Sequence, residues 1–260
     1  MTNSRKKTGK RRGGFRFLAL LILLLIAYVL IIHFHLFGQP VDPGSTEEAA
    51  LTADGFSRSI AEFDPSRIPD YSGEDFVTLN DNIPMFTEKD LNEISGEHYA
   101  EPDRLGRCGT AYAMLDRGMM SSSNREEINR IRPSGWQYME YPDLIPEGYL
   151  YNRSHLIAYR LTGQNANARN LITGTQYMNQ VSMLQFELRV MDYLESAWGR
   201  HVLYRVSPYF KDRELVARGV EMEAYSVEDR GRSICFHVFV YNYQPGVEID
   251  YMTGHSRRKV

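Results

Sequence analysis

An uninterrupted apolar stretch near the N-terminus sets the organisation of this chain. Residues 17–37 form a run of 21 residues without Asp, Glu, Lys or Arg. As a helix rising about 1.5 Å per residue, the run would cross a hydrocarbon core of about 30 Å. Seven cations and no acid precede it within residues 1–16. Because cationic flanks stay cytoplasmic, the sequence predicts a basic cytoplasmic head, a transmembrane signal-anchor and a C-terminal domain outside the membrane.

Two other interpretations of residues 17–37 stay open. One is a cleaved secretory signal, which has an apolar stretch of about 7–15 residues followed by small residues at the cleavage site. Here the stretch is longer, and it ends in His33, His35 and Phe37 without a small-x-small site beside it. The other is a buried helix of a soluble protein. The length of the run and its cationic flank favour the uncleaved anchor.

The rest of the chain divides into a linker and one domain. Residues 38–70 are rich in Pro, Gly, Ser and acidic residues without sustained periodicity, which is typical of an extracytoplasmic linker. The globular domain is predicted for residues 71–260. Seven of the 30 basic residues lie in the head. The remainder of the chain, linker and domain together, therefore has 23 basic and 33 acidic residues, a formal net charge of −10. This charge argues against binding nucleic acid through bulk electrostatics, but allows phosphate contact through a bound cation and local arginines.

The predicted fold class is α+β, with a central, mostly antiparallel sheet and a long helix packed beside it. The long helix starts at Gln176 and reaches Trp198, and a short helix capped by Thr87 is expected to contain His98. The predicted apolar face of the long helix comprises Met178, Val181, Leu184, Leu188 and Met191. Six strands are predicted at residues 75–80, 107–115, 149–159, 201–210, 215–227 and 234–243.

The chemically informative part is the strand, polar loop and helix of residues 149–198. Phosphodiester hydrolysis needs a base for the attacking water, a cation that neutralises developing charge, and a group that holds the phosphate. Arg153 and His155 lie two apart on the strand, so both can project from one face. The unit combines a base, a cation and hard oxygen donors: His155, Arg153, Asn170, Asn179, Gln180 and Glu187. Taken singly, each has an ordinary structural explanation, such as a core histidine, a helix cap or an ion-pair partner.

In order and spacing, these residues resemble the DNA/RNA nonspecific endonucleases of the ββα-metal type, including membrane-associated DNA-entry nucleases of Gram-positive bacteria. The family signature is Asp-Arg-Gly-His on a strand, an Asn-containing loop, and a helix opening with Asn-Gln. Here NRSH occupies residues 152–155, NLITGTQYMNQ occupies 170–180, and Glu187 follows on the helix. Asn152 and Ser154 replace the signature's Asp and Gly, while its Arg and His are kept. The resemblance extends over residues 75–255.

The resemblance implies a role for each matching residue. His155 acts as general base, and Asn179 is the direct side-chain ligand of a single Mg²⁺ or Mn²⁺. Glu187 orients the water around the ion, and Asn170 and Gln180 position the loop and those waters. Arg153 is the main phosphate contact. Weaker candidates for that contact are Arg107, Arg169 and Arg205. The implied function is sequence-nonspecific cleavage of DNA, with RNA as a further substrate.

Alternatives come from other classes of protein. They are a phosphodiesterase with a narrower substrate, a catalytically inactive membrane-tethered nucleic-acid-binding module of a DNA-uptake apparatus, and an anchored surface domain without a ligand. The combination of His155 and Asn179 favours the enzyme, because a binding module needs no such pair. No sequence pattern identifies an inhibitor protein. Cys108 and Cys235 allow one disulfide or two separate thiols, and their spacing does not indicate a zinc site.

Overall fold

A computed structural model describes residues 68–123 and 127–259 of the chain. The predicted head, the predicted anchor at residues 17–37 and all but the last three residues of the predicted linker lie outside the described residues. Within the described residues, no helix is both long and apolar enough to cross a membrane.

Ten strands and three α-helices follow one another along the described chain. The strands are β1 (Phe76–Thr78), β2 (Glu97–Tyr99), β3 (Ala111–Asp116), β4 (Tyr151–His155), β5 (Leu171–Thr175), β6 (His201–Tyr209), β7 (Gly219–Ser226), β8 (Cys235–Tyr241), β9 (Val247–Ile249) and β10 (Ser256–Arg258). The helices are α1 (Glu88–Glu93), α2 (Tyr159–Thr162) and α3 (Leu184–Ser196), the last preceded by a π-helical turn (Met178–Ser182).

Six of these strands form the predicted antiparallel sheet, in the order β1-β8-β7-β6-β3-β2. Every pair of neighbouring strands in the sheet is antiparallel. The central strands β6, β7 and β8 correspond to the three predicted after the long helix. β4 and β5 form a separate antiparallel hairpin, and so do β9 and β10.

The two faces of the sheet pack against different parts of the chain. Because side chains alternate along a strand, the apolar positions of β3, β6, β7 and β8 share one face. On that face they form the main core with α3 and the β4–β5 hairpin, including Leu156, Ile172, Met178 and Val190. The opposite face is partly covered by α1 and the segment before it, through Phe86, Leu203 and Tyr225. α1 begins as predicted, because Thr87 and Asp90 form a reciprocal capping box.

The predicted apolar face of the long helix is wrong at two positions. Val181 is 46% exposed and Leu188 is 41% exposed, whereas Phe186 and Val190 are buried. The cause is the π-helical turn, in which the amide of Met183 donates to the carbonyl of Met178 at 2.8 Å. This wider turn absorbs an extra residue, so a face computed with about 3.6 residues per turn is rotated away from the core.

Three other predicted elements need smaller corrections. The strand predicted at residues 107–115 begins only at Ala111. The strand predicted at 149–159 ends at His155, and α2 starts at Tyr159. His98 lies in β2 and not in the short helix, because α1 ends at Glu93 and the chain then pairs with β3, where His98 stacks on Tyr112 at 4.9 Å.

The two cysteines are separate thiols, which is one of the two predicted possibilities. The Cys108 thiol is buried and donates to the carbonyl of Leu171 at 3.0 Å, next to the hairpin. Cys235 packs beside Leu203 and Tyr225 on the opposite face of the sheet.

Candidate active site

The β4–β5 hairpin holds His155 at the end of its first strand. His155 lies opposite Leu171 in the hairpin and is 4% exposed. Its Nε2 atom lies 2.9 Å from the carbonyl oxygen of Asn165. Because a carbonyl oxygen can only accept, Nε2 must carry the proton of the neutral ring. The basic lone pair of a neutral His155 is therefore on Nδ1.

Asn170 fixes the backbone that follows His155. Its Oδ1 accepts from the amide of Ile157 and its Nδ2 donates to the carbonyl of the same residue, both at 2.9 Å. The side chain is fully buried. Both ends of the amide are thus used to join β5 to the end of β4. This geometry agrees with a role in positioning the loop and gives Asn170 no contact with solvent.

Asn179 lies in the π-helical turn and contacts the hairpin directly. Thr175 starts the helix, because its Oγ1 accepts from the amide of Met178 at 3.1 Å. The hydroxyl of Ser154 then donates to Oδ1 of Asn179 at 2.9 Å. Close approach of hairpin and helix requires Gly174, since a Cβ there would collide with Ser154 Oγ and with Met178. The Ser154 side chain therefore fixes the orientation of the Asn179 amide.

The π-helical turn also determines how Glu187 stands relative to Asn179. In an uninterrupted α-helix, eight residues turn about 800°, which would put the two side chains about 80° apart around the axis. With one residue absorbed by the wider turn, the rotation is about 700°, within about 20° of two full turns. Asn179 and Glu187 consequently share one helix face. This alignment depends on the turn that the sequence pattern did not reveal.

Glu187 is buried between α3 and the sheet, beside Tyr204 of β6. Burial, and then the charge of Glu187, raise the pKa of the Tyr204 hydroxyl well above its usual range. The Tyr204 hydroxyl finds no hydrogen-bond partner among the described residues. Buried hydroxyls are normally satisfied by protein or by an ordered water. The unsatisfied Tyr204 hydroxyl beside Glu187 therefore favours a polar partner, such as ordered water.

Arg153 is held by the loop that precedes the hairpin. Its Nε donates to the carbonyl of Ile131 at 2.5 Å, and its guanidinium lies 4.1 Å from the centre of the Trp136 ring. Burial, together with the nearby charge of Arg132, lowers its pKa. Neither arginine forms a salt bridge with a carboxylate in the part of the chain that the structure describes. Two neighbouring cations without a carboxylate favour an anionic ligand.

The other predicted phosphate contacts form ion pairs with carboxylates. Arg107 pairs with Asp103 at 2.7 Å, Arg169 with Glu101 at 2.5 Å, and Arg205 with Glu223 at 2.6 Å. Gln180 is exposed, and its amide lies 3.3 Å from the carboxylate of Glu147. The structure therefore joins Ser154 to Asn179 and Asn170 to the strand of His155, while Gln180 faces the neighbouring loop.

A second polar cluster, which the sequence did not predict, lies on the opposite face of the sheet. Ligand atoms of Glu221, Glu223 and His237 lie within 4.8 Å of one another, as a metal site would require. Other protein groups already bind most of these ligand atoms. Glu223 binds Arg205 through two nitrogens and accepts from the amide of Met85 at 2.6 Å. His237 contacts Glu221 through Nε2 at 2.6 Å and the carbonyl of Ile83 through Nδ1 at 3.1 Å. The arrangement is that of a buried ion-pair network.

The chemistry of the helix face fits a hard divalent ion. The carbonyl oxygen of Asn179 and the carboxylate of Glu187 are oxygen donors, which Mg²⁺ and Mn²⁺ prefer. Among the residues that the structure describes, no cluster of thiolates or histidines accompanies them. Mg²⁺ keeps several water ligands. The buried hydroxyl of Tyr204 beside Glu187 is a polar atom that such water would satisfy.

Comparisons with known proteins identify the family. The family model described as DNA/RNA non-specific endonuclease matches residues 88–228, which is more than half of the chain. The chain therefore belongs to the DNA/RNA non-specific endonuclease family, as its motifs predicted. It is a nuclease, an enzyme whose substrate is nucleic acid.

Solved nuclease structures support the same assignment. NucA from Streptococcus agalactiae, solved with no metal bound and with a magnesium ion bound, is 28% identical, with a TM-score of 0.60 over 70% of this chain and 86% of NucA. The Sda1 nuclease, solved with a bound zinc ion, is 29% identical, with a TM-score of 0.53 over 64% of this chain and 82% of Sda1. An extracellular endonuclease at 19% identity, with a TM-score of 0.51 over 73% of this chain and 100% of its own, supports the fold alone.

Proposed function

We propose that this nuclease is metal-dependent and cleaves DNA, and also RNA, without base-sequence preference at the site formed by His155, Asn179 and Glu187. The observation that carries the proposal is the contact between hairpin and helix, where Ser154 orients Asn179 next to the strand that ends in His155. The relatives solved with magnesium and with zinc support a divalent ion. The oxygen donors of this chain favour Mg²⁺ or Mn²⁺.

In the proposed reaction, Nδ1 of His155 takes a proton from the attacking water. The carbonyl of Asn165 keeps the other ring proton on Nε2 and so sets the tautomer that this step needs. Asn170 fixes the backbone behind His155, which limits the loss of alignment at the moment of attack. General-base catalysis of this kind contributes about 10² to 10⁴-fold to a rate.

Arg153 and Arg132 bind the phosphate of the strand, since their two charges lie close together without a carboxylate partner among the described residues. Asn179 would hold the divalent ion directly, and Glu187 would hold water around it from the same helix face. When bound, the ion neutralises charge on the phosphate and on the leaving oxygen. Because these contacts go to phosphate, base sequence is not discriminated.

The test is a nicking assay with the full-length chain in detergent. We expect supercoiled plasmid and single-stranded RNA to be cleaved with Mg²⁺ or Mn²⁺, and excess EDTA to stop both reactions. Adding back Mg²⁺ after chelation should restore cleavage. Robust cleavage in EDTA would refute the metal dependence, and a complete lack of cleavage with either ion would refute the proposed activity.

We further propose that residues 17–37 anchor the nuclease domain outside the membrane. The support is the acid-free basic head and the apolar run without counter-charge. A reporter that is active only outside the cytoplasm, fused to the C-terminus, should be active and should fractionate with membranes. An intact fusion recovered in the cytosol would contradict the anchor, and a shortened fusion in the medium would instead indicate a cleaved signal.

A further inference from the structure

A groove with a volume of about 650 Å³ borders the strand that carries the proposed active site. One wall is formed by Asn152 and Arg153 of β4, the residues just before Ser154 and His155. The other wall comes from the loop before β4 and from the turn that contains Glu147. Gln180, next to Asn179 on the helix, reaches Glu147 at this groove. A strand with its phosphate at the proposed site would therefore extend into the groove.

Two exposed tyrosines line the groove side by side. Tyr138 is 69% exposed and Tyr149 is 46% exposed. Their ring centroids are 5.4 Å apart and the planes are tilted by 60°. Tyr149 precedes β4 directly, and Glu140 and Tyr149 form an isolated antiparallel bridge, so the backbone around both rings is fixed. Hydrogen bonds to Tyr149 and Glu140 raise the pKa of Tyr138.

Charges of both signs line the groove. Arg132 lies near Arg153, whose guanidinium covers Trp136. Glu140 and Glu147 accompany the two tyrosines. Phosphates would be attracted to the arginines and repelled by the carboxylates, whereas a neutral base would not be repelled. The exposed rings thus suit the bases of a strand whose phosphates contact the arginines.

We infer that Tyr138 and Tyr149 form a stacking platform for an unpaired base of the nucleic acid strand beside the scissile phosphate. The inference rests on the proposed nuclease function of the same site. Stacking tolerates every base, because each has a π-face, so the platform increases affinity without creating sequence specificity. It does require the base to be free of its complementary strand. The ligand class is accordingly single-stranded or locally opened nucleic acid.

The test compares two labelled strands in a binding assay with the full-length chain. One is a short single-stranded DNA, and the other is the same sugar-phosphate strand without bases. Tyr138→Ala and Tyr149→Ala should each weaken binding of the strand with bases by at least about 5-fold, the lower end for loss of one base–aromatic contact. Binding of the baseless strand should change less than about 2-fold, because phosphate contacts dominate it. Gel analysis after each titration verifies that the strand is intact.

Matched controls separate stacking from a general effect on the protein. Tyr138→Phe keeps the ring and should bind like the parent. Trp198→Ala removes another exposed aromatic ring, 75% exposed beyond the end of α3 and covered by Arg117 at 4.7 Å, and should also bind like the parent. Equal losses on both strands, or unchanged binding by both tyrosine variants, would overturn the platform.

Plasmid nicking by the parent protein, measured in parallel, keeps the two hypotheses apart. If the parent protein nicks plasmid and the tyrosine variants bind DNA as the parent does, the nuclease function is supported and the platform is refuted. Base-dependent binding losses without any nicking would remove the proposed activity and leave the platform as a nucleic-acid-binding site.

Discussion

Two buried histidines, one on each side of the sheet, are surrounded very differently. His237 lies in β8, with Nε2 at 2.6 Å from Glu221 and Nδ1 at 3.1 Å from the carbonyl of Ile83. His155 has a backbone carbonyl at Nε2 and lies beside the helix that carries Asn179. The first ring is part of a buried polar network with Glu221, and the second is held in one tautomer by a backbone carbonyl. The spacing of ligand atoms alone would select the cluster around His237, although protein groups already bind most of these atoms.

The largest difference between these regions should appear on replacing each histidine by alanine. His155→Ala should lower the cleavage rate of the folded protein by about 10² to 10⁴-fold, because it removes a positioned base. His237→Ala should lower the free energy of unfolding by about 3–5 kcal/mol, since it leaves a buried carboxylate without its partner. Rates per folded molecule and urea unfolding measure both effects.

Two further observations decide this comparison. His98→Ala is the neutral control, because His98 is exposed in β2 and its own contacts are with Ser95 and Tyr112. If His155→Ala cleaves like the parent, the role of this histidine is wrong and the tethered binding module becomes the better interpretation. If His237→Ala instead loses cleavage while remaining folded, the network on the opposite face has a part in the reaction.

Asn179→Ala should be the next largest change on the hairpin side. It removes the only direct side-chain ligand assigned to the ion, so the Mg²⁺ concentration for half-maximal cleavage should rise by at least about 10-fold. Glu223→Gln on the opposite face should leave that concentration unchanged, although it weakens the pair with Arg205. If the Mg²⁺ concentration for half-maximal cleavage shifts in Glu223→Gln but not in Asn179→Ala, the ion binds at the other cluster.

A smaller effect is expected from Ser154, which touches the proposed ligand. Ser154→Ala removes a hydrogen bond of about 0.5–1.5 kcal/mol, so cleavage should fall by about 2 to 12-fold. Its effect should vanish in an Asn179→Ala background, because the amide that it orients is then absent. Additive losses in the double variant would mean that Ser154 acts on something other than Asn179.

Much of the fold could be predicted from local sequence. The capping box at Thr87 and the alternation in β6, β7 and β8 are determined by neighbouring residues, and the predicted elements lie there. The order of the site residues on strand, loop and helix was also visible, because the motif is continuous in sequence. Features that depend on residues close together in sequence leave a local pattern that can be recognised.

The remaining features depend on contacts between distant segments. Because of the π-helical turn, a spacing of 3.6 residues does not predict which side of α3 is buried. The predicted burial of Val181 and Leu188 is wrong for that reason. Glu223 meets His237 only through the register of β7 with β8. The partner of Arg153 comes from a loop without periodicity. In each case the decisive neighbour is set by tertiary packing, which propensity does not encode.

The two thiols provide the smallest and most direct comparison between the two sides. Burial raises the pKa of the Cys108 thiol to about 11, and it also raises the pKa of Cys235, which Arg189 partly lowers again. Since the thiolate is the reactive form, both should react slowly with a thiol reagent near pH 7, with Cys235 ahead of Cys108.

Unfolding without reductant should release two reactive thiols per chain, and the variants Cys108→Ala and Cys235→Ala should each release one. Cys235→Ala should also abolish the faster of the two native reactions. A protein that releases no thiol until a reductant is added would instead contain a disulfide. Such a bond would need Cys108, beside the hairpin, to reach Cys235 on the opposite face of the sheet, and would contradict the packing of both residues.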